Sequence, residues 1–264
     1  MRCVRVALSV LGAAALTASS ALASDLALPP PSPVPPIWGF YVGGGVCYDW
    51  ANFDLKFNES YMDPNFTTVN TDNRNISNFN QSTYPSIGAS GWCGTAIVGY
   101  DWQVSQNFIL GVFADFDFQN KKGEFRHEVT PPYQLPNDFT GQIWNVGLGN
   151  TATVGARAGV LATPEVLLYG LLGWSWSKAT LGYFEGCIPN DCSNLAYSQS
   201  HNVNGLTFGV GIEALLAQHV SGRVEYRYTN FGNVTSSGAS GGFSGTTTAG
   251  VTDQSIRVVL TLRP

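Results

Sequence analysis

The sequence predicts an all-β fold, a transmembrane antiparallel up-and-down β-barrel of eight strands. Apolar and polar residues alternate along most of the chain, which is typical of strands with one apolar face. The connections between the predicted strands alternate between long and short. Charged residues make up 12% of the chain, about half the share found in an average soluble domain, whereas aromatic residues also reach 12%.

A membrane-spanning fold would explain why charged residues are scarce, but the sequence has no segment suited to a membrane-spanning helix. The most apolar stretch beyond the N-terminus, 153–176, is interrupted by Arg157, Gly159, Pro164 and Glu165. A spanning helix needs about 20 apolar residues. Only helices and closed barrels can cross a bilayer, because every backbone polar group must be paired within the protein. We therefore predict a closed barrel, with a soluble secreted β-protein as the alternative.

The first 23 residues have the pattern of an export signal. Arg2 and Arg5 give a positive start, 6–18 is an uncharged apolar run, and 21–23 is an Ala-Leu-Ala cleavage site. We predict a signal peptide at 1–23 and localisation in the outer membrane of a Gram-negative cell. This segment holds two of the 13 basic residues and no acidic ones, so the rest of the chain has a formal charge of −7. With no basic stripe, nucleic acid is not an expected partner.

Residues 24–37 are predicted to be a Pro-rich periplasmic linker, and residues 38–264 are predicted to be the barrel. Six prolines lie between Asp25 and Pro36. Because proline has no N–H donor, this segment cannot pair as a strand and is expected to be extended.

Eight strands are predicted at about 38–57, 88–103, 107–127, 142–162, 165–184, 201–216, 219–233 and 252–263. The connections after the first, third, fifth and seventh strands are long: Asn58–Ile87, Glu128–Gly141, Glu185–Ser200 and Val234–Val251. The others are tight turns at 104–106, 163–164 and 217–219. Outer-membrane barrels have short periplasmic turns and long outer loops, so this alternation predicts both the orientation and a periplasmic position for both termini.

The charged residues of the predicted strands lie out of phase with the apolar stripe and are predicted to point into the lumen. An arginine or lysine facing lipid near the midplane costs about 2–4 kcal/mol. Two roles are open, a selectivity lining for a channel or a packed network of ion pairs. We favour the network, because an eight-stranded barrel is only wide enough to be filled by its own side chains. The predicted lumen residues are Asp49, Asp101, Asp115, Asp117, Arg157, Glu213, Arg223, Glu225, Arg227 and Arg257.

Aromatic residues cluster near the predicted strand ends, as expected of girdles at the two membrane interfaces. The alternative is the ordinary preference of aromatic side chains for strands. The residues predicted for the girdles are Trp38, Phe40, Tyr100, Trp102, Trp174, Trp176, Tyr226 and Tyr228.

Cys47 and Cys93 lie on the first two predicted strands. If Trp38 faces Trp102 at the periplasmic end, the register places the two cysteines opposite each other, and alternation points both inward. Four cysteines follow the signal peptide, an even number in an oxidising compartment. We therefore predict a cross-strand disulfide.

Cys187 and Cys192 lie in the third long connection and are candidates for a small loop disulfide. No metal site is predicted, because four sulfurs divided between the lumen and an outer loop cannot meet at one ion.

The chain has three histidines. His127 and His201 lie near the outer edge of the predicted barrel and are candidate hemin ligands, whereas His219 lies in a periplasmic turn. Isolated histidines near loops are usually solvated, so no cofactor is predicted. The mature chain contains no G-x-S-x-G, H-E-x-x-H, Walker or C-x-x-C motif. We predict that it is not an enzyme.

Several segments together resemble one family. They are the Ala-Leu-Ala-Ser-Asp end of the signal with the Pro-rich segment after it, and the segments 38–45, 99–103, 108–116, 224–232 and 255–260. In their order and spacing these resemble the small outer-membrane β-barrel proteins of alphaproteobacteria, a group that includes major surface antigens and hemin-binding proteins. The resemblance implies an eight-stranded barrel, abundance in the envelope, and structural or host-facing roles.

We therefore expect an envelope-structural and surface-interaction role without catalysis. The alternatives are a small porin for solutes and a hemin-binding surface receptor. The expected partners are outer-membrane lipid and lipopolysaccharide and the barrel-assembly machinery. Peptidoglycan and host surfaces are further candidate contacts.

Overall fold

The computed structural model describes residues 37–61, 79–83, 86–129, 139–188, 195–240 and 243–264. The predicted signal peptide and all of the predicted linker except Ile37 lie outside these ranges, so both remain predictions. Every regular element within the described ranges is a β-strand. None of their residues forms a helix long and apolar enough to cross a membrane.

The described part of the chain contains eleven strands. They are β1 (Gly39–Tyr61), β2 (Phe79–Thr83), β3 (Ile87–Gln103), β4 (Phe108–Phe118), β5 (Lys121–Val129), β6 (Phe139–Leu148), β7 (Thr151–Thr163), β8 (Val166–Ile188), β9 (Ala196–Ala217), β10 (Val220–Ser240) and β11 (Phe243–Leu262).

Eight of these strands close into a ring. The order is β1, β3, β4, β7, β8, β9, β10 and β11, and β11 pairs again with β1. Every pairing is antiparallel, and β4 and β7 are linked by the β5–β6 hairpin, whose second strand also pairs with β8. The predicted eight-stranded antiparallel barrel is therefore confirmed. Turns at 104–107, 164–165 and 218–219 join the strands at one end, close to the predicted tight turns.

The strands continue far beyond their predicted outer ends. A spanning strand needs about 9–11 residues, whereas β8 has 23 and β9 has 22. The prediction of a loop at Val234–Val251 was wrong: β10 runs to Ser240 and β11 begins at Phe243. Its Ser/Thr-rich composition suggested a loop, yet threonine is β-branched and favours strands. The other three long connections are also shortened, by β1, β2, β5, β6, β8 and β9.

Two predicted strands are each divided by a break at the same height. The predicted strand 107–127 breaks after Phe118, and the predicted strand 142–162 breaks at Gly149 and Asn150. Leu148 and Thr151 are both buried although they are three residues apart, so one extra residue shifts the inward face at this point. Such a residue is a β-bulge, which bends its strand and increases the twist. The prediction of one continuous strand was wrong in both places.

The outer face carries an apolar band with aromatic edges. On β1 the band runs from Phe40 to Trp50, which is about 33 Å along the strand and about 25 Å across a membrane at the usual tilt of about 40°. Beyond Trp50 the outward positions of β1 are polar. All eight residues predicted for the girdles lie on the outer face: Trp38, Phe40, Tyr100, Trp102, Trp174, Trp176, Tyr226 and Tyr228.

The interior has a different composition on either side of the girdle that contains Trp50. On the membrane side the lumen holds the charged residues described below, together with a small apolar cluster near the turns. On the far side it holds one large apolar cluster, made of Ala51, Phe53, Leu55, Phe57, Ile87, Ala89, Trp144, Val146, Leu148, Ala179, Leu181, Tyr183, Leu195, Val203, Phe231, Val234, Ala249 and Val251. The barrel thus has a charged core within the membrane and an apolar core outside it.

The division between lipid-facing and water-facing surface on β9 predicts an asymmetric response to charge. Val210 is 62% exposed within the apolar band, and Val210→Arg should lower the free energy of unfolding by about 2–4 kcal/mol, because the guanidinium would face hydrocarbon. Ser198 is exposed on the same strand beyond the band, so Ser198→Arg should change it by less than about 1 kcal/mol. Urea titration of the barrel folded into vesicles measures both, and equal losses would contradict the assignment of the band.

Candidate functional site

The candidate site is the charged lumen at membrane depth. All ten residues predicted to line it are buried on the inner face. They are Asp49, Asp101, Asp115, Asp117, Arg157, Glu213, Arg223, Glu225, Arg227 and Arg257. The structure arranges them in three levels, which are described from the turn end outward.

At the first level, two carboxylates are shared by three arginines. Arg157 donates to Asp101 at 2.5 Å and to Glu213 at 2.8 Å. Arg263 donates to the same two carboxylates, in both cases at 2.9 Å. Arg223 lies 3.5 Å from Glu213. Four of the residues come from β3, β7, β9 and β10, and Arg263 directly follows β11, so this level ties opposite walls of the barrel together.

Tyr41 of β1 lies at the centre of these three arginines. The guanidinium carbons of Arg157, Arg223 and Arg263 lie 4.9, 4.6 and 4.9 Å from the centre of its ring. The negative face of an aromatic ring attracts cations, which offsets the repulsion of three arginines around two carboxylates. Gly99 is the cross-strand partner of Tyr41, and a Cβ atom there would overlap the phenol. Glycine at 99 therefore makes room for the tyrosine.

The second level continues the network along β10. Glu225 accepts from Arg227 at 2.7 Å and from the hydroxyl of Tyr169 at 2.6 Å. Arg227 also donates to Asp115 of β4 across the lumen at 2.6 Å. Arg223, 3.6 Å from Glu225, joins this level to the first.

The second level also contains a two-bond pair. The guanidinium of Arg257 donates to both oxygens of Asp117, at 2.5 and 3.0 Å. A second contact of Arg257 reaches Asp115 at 3.4 Å. The two aspartates, two residues apart on β4, are therefore members of the ion-pair network and do not form an isolated acid–base pair.

The third level is a lysine between two aspartates beneath the apolar cluster. Lys121 of β5 donates to Asp253 at 2.6 Å and to Asp49 at 3.4 Å. Each of the seven buried carboxylates in the described ranges thus has a cation within 4.0 Å.

Three members of the network, Lys121, Asp253 and Arg263, were missing from the predicted set. The sequence carried a signal for each of them. Lys121 is in phase with Asp117 on the same predicted strand, and Asp253 and Arg263 are in phase with Arg257. Asp253 and Arg263 lie at the two ends of the predicted strand 252–263, where alternation does not distinguish a strand residue from a loop residue. Lys121 lies inside the predicted strand 107–127, so alternation could have identified it.

The predicted disulfide joins β1 and β3. Cys47 and Cys93 are direct cross-strand partners, with 4.9 Å between their Cα atoms, and both are buried on the inner face. The register is the one predicted from facing Trp38 with Trp102. The two sulfurs lie close to a carboxylate oxygen of Asp49, but sulfurs joined to each other are not thiolate ligands for a metal. Cys192 and the side chain of Cys187 lie outside the described residues, so their pairing remains a prediction.

The two candidate hemin ligands are not brought together. His127 pairs with Gln142 of β6, and His201 pairs with Ala179 of β8, so three strand spacings and several residues along the sheet separate their backbones. The side chain of His127 lies outside the described residues. The Nε2 atom of His201 is 3.0 Å from the Ser236 hydroxyl. The backbone placement therefore does not allow both to ligate one iron.

Comparison with known proteins identifies the family. The profile of a family described as outer membrane protein beta-barrel domain matches residues 7–252. The chain belongs to this family. This outer-membrane barrel is 27% identical to the 31 kDa outer-membrane immunogenic protein of Brucella melitensis over 226 residues, which cover 83% of the chain and 84% of the relative. It is 31% identical to the 25 kDa outer-membrane immunogenic protein of Brucella ovis over 149 residues, 40% of the chain and 74% of the relative.

These relatives confirm the resemblance to alphaproteobacterial outer-membrane proteins and the predicted localisation in the outer membrane. Solved structures similar to the outer-membrane barrel include OprG of Pseudomonas aeruginosa, with a TM-score of 0.41 and 11% identity, covering 87% of this chain and 98% of that one. Neisserial surface protein A has a TM-score of 0.35 and 12% identity, covering 83% of this chain and 99% of that one. Ail of Yersinia pestis has a TM-score of 0.29 and 13% identity, with the same coverage of 83% of this chain and 99% of that one.

The disulfide is expected to contribute to stability by closing a long loop in the unfolded chain. The cysteines are 46 residues apart, and replacing both by serine should lower the free energy of unfolding by about 2–4 kcal/mol. Urea titration of the folded barrel measures this, and peptide mass spectrometry without reduction identifies the bridge. Recovery of Cys47 and Cys93 as free thiols would contradict the assignment.

The two-bond pair between Arg257 and Asp117 predicts a large and rescuable loss of stability. Arg257→Met leaves Asp117 buried without a cation and should cost about 3–5 kcal/mol, because the desolvated charge is no longer compensated. Adding Asp117→Asn should recover part of this loss.

Arg126 provides the matched control, because its ion pair with Glu124 is exposed on the outer face. Arg126→Met should cost less than about 1 kcal/mol. Similar losses for Arg126→Met and Arg257→Met in urea titrations, or a double variant no more stable than Arg257→Met alone, would show that the buried pair is not the source of the effect.

Proposed function

We propose that this protein is a sealed membrane anchor that presents long paired strands at the cell surface, with an envelope-structural and surface-interaction role and no catalysis. The observation that carries the proposal is that the lumen is filled by side chains on both sides of the girdle. Ion pairs fill it at membrane depth, and an apolar cluster fills it outside the membrane. A barrel filled in this way is rigid and can hold the outer parts of its strands in fixed positions at the cell surface.

The ion-pair levels support a structural role over a conducting one. A selectivity lining needs charges that face water and can exchange partners with passing ions. Here Arg157 and Arg227 each contact two carboxylates within 2.8 Å, and Tyr41 occupies the centre of the first level. Moving an ion along this axis requires breaking several short contacts in a buried environment, which is costly.

The apolar cluster adds a second barrier. The rings of Phe57 and Tyr183 are 4.6 Å apart between centroids, and Trp144 lies 5.8 Å from the first and 5.2 Å from the second. All three side chains are buried. An apolar constriction excludes water and therefore opposes the passage of hydrated solutes.

The paired charges also support the absence of catalysis. General acid–base chemistry needs a titratable group that can reach a substrate. The buried carboxylates of the described lumen are paired with cations inside a packed wall, and the mature sequence has no nucleophile or metal-binding motif.

The outer half of the barrel supports a role at the cell surface. Strands such as β8 and β9 are about twice the length that a membrane requires, so their outer halves stand in water beyond the girdle. The Brucella relatives are named outer-membrane immunogenic proteins, which suits display of the corresponding regions to a host. We extend this display to the present chain, with host surfaces as candidate contacts.

Planar-bilayer recording tests the seal. Purified protein whose insertion is verified by heat-modifiable gel mobility should give no discrete conductance steps, because the ion-pair network and the apolar cluster both fill the lumen. Regular single-channel steps from the inserted protein would overturn the sealed anchor and favour the small porin.

Epitope insertion tests the display. A tag inserted between Ser240 and Phe243, at the outer end of β10 and β11, should be labelled by antibody on intact cells. The same tag at the turn after Thr163 should be labelled only after the outer membrane is permeabilised. The opposite pattern would overturn the orientation on which surface display depends.

A further inference from the structure

A notch opens on the outer face of the barrel where β4 and β5 separate and β6 meets β7. Its volume is about 300 Å³, and its lining includes Asn120, Lys122, Asn145, Gly147, Gly149 and Lys178. The bulge at Gly149 and Asn150 bends the wall at this point. Because Asn120, Lys122, Asn145 and Lys178 are exposed on the outer face, the notch is separate from the lumen.

Two lysines form the walls of this notch. Lys122 of β5 and Lys178 of β8 are both exposed on the outer face, on either side of β6. Among the described residues neither amine has a carboxylate within ion-pair distance. The nearest acid along β5, Glu124, is paired with Arg126 at 2.5 Å. The notch thus presents two uncompensated positive charges about two strand spacings apart, or roughly 10 Å.

The floor of the notch is built from glycine. Gly147 pairs with both Lys122 and Thr180, and the backbone N–H of Gly149 donates to the carbonyl of Lys178. Gly149 does not have the positive φ that would require glycine, and a Cβ atom there would meet its nearest neighbour at an ordinary 3.5 Å. The backbone therefore does not require glycine at position 149. The effect of having glycine there is to leave space between the two lysines.

The height of the notch matches the headgroups of the outer leaflet. Lys178 lies two residues beyond Trp176 of the girdle and Lys122 lies four beyond Phe118, which is about 7 and 13 Å along the strands before tilt is considered. The headgroup layer extends about 5–8 Å beyond the hydrocarbon. Lysine stems can lie along the wall and place their amines at this level.

We propose that the notch between Lys122 and Lys178 binds a phosphate of the phosphorylated glycolipid that forms the outer leaflet. The two ammonium groups supply charge, as in other basic headgroup sites on membrane proteins. The exposed amides of Asn120 and Asn145 supply neutral donors beside them. Acyl chains of the same lipid would lie against Phe118 and Trp176 below. The site rests on the outward orientation used in the proposed function, but it does not require the lumen to be sealed.

Native mass spectrometry of the refolded full-length protein, titrated with bisphosphorylated lipid A, tests this site. The double variant Lys122→Gln/Lys178→Gln should bind lipid A about 10- to 30-fold more weakly. Each ammonium group near the membrane surface contributes about 1 kcal/mol, which is a factor of about five in affinity. Gly149→Leu keeps both lysines but fills the notch and should weaken binding to a similar extent. Heat-modifiable mobility verifies that each variant is folded.

Lys56 supplies the matched control, because it is an exposed lysine on the outer face of β1 that lies six residues beyond Trp50, above the headgroups. Lys56→Gln should bind lipid A like the wild type. Equal affinity of the Lys122→Gln/Lys178→Gln variant and the wild type, or equal loss in Lys56→Gln, would overturn the proposal. Complete displacement of lipid A by millimolar inorganic phosphate would also overturn it, since the notch would then be a general anion site. These variants lie on the outer face and should leave conductance recordings unchanged, so a failure here is distinct from a failure of the sealed anchor.

Discussion

The whole structure depends on the pairing of β11 with β1. Inside a bilayer an unpaired backbone N–H or C=O has no water to replace its partner, so a sheet can cross only if it has no edge. Once the ring closes, each strand has one face toward lipid and one toward the lumen, and the two-residue period of a strand fixes every side chain to one of them. The apolar band and the charged lumen are two consequences of this one closure.

The charged lumen follows from ring closure, because closure leaves the inner face as the place for ionised side chains at membrane depth. Ionised side chains cannot face lipid, so they gather inside, where they are stable only as pairs. The network meets this requirement by sharing partners: Arg157 and Arg263 both contact Asp101 and Glu213, and Tyr41 lies among the arginines. Because the partners come from opposite walls, the same contacts that compensate the charges also hold the shape of the barrel.

Beyond the girdle the physical requirement is reversed. The outer face there meets water and is polar, and the interior can be apolar as in a soluble protein. The bulge at Gly149 and Asn150 lies at this change of environment. Along the chain it moves the inward face from even positions on β6 to odd positions on β7, so that Leu148 and Thr151 are both inside. The same irregularity that fits the two cores together opens the outward notch between Lys122 and Lys178.

The sequence by itself determined the strand number, the division into inner and outer faces, and the Cys47–Cys93 bridge, because each depends on a local two-residue period and on pairing between strands adjacent in the chain. Only the tertiary structure decided which charges meet, as with Arg257 and Asp117, which are 140 residues apart on strands that are not neighbours in the ring. It also decided that Val234–Val251 is mostly strand and where the bulge falls. These features arise from contacts across the lumen and between sheet neighbours, which alternation along a single strand does not encode.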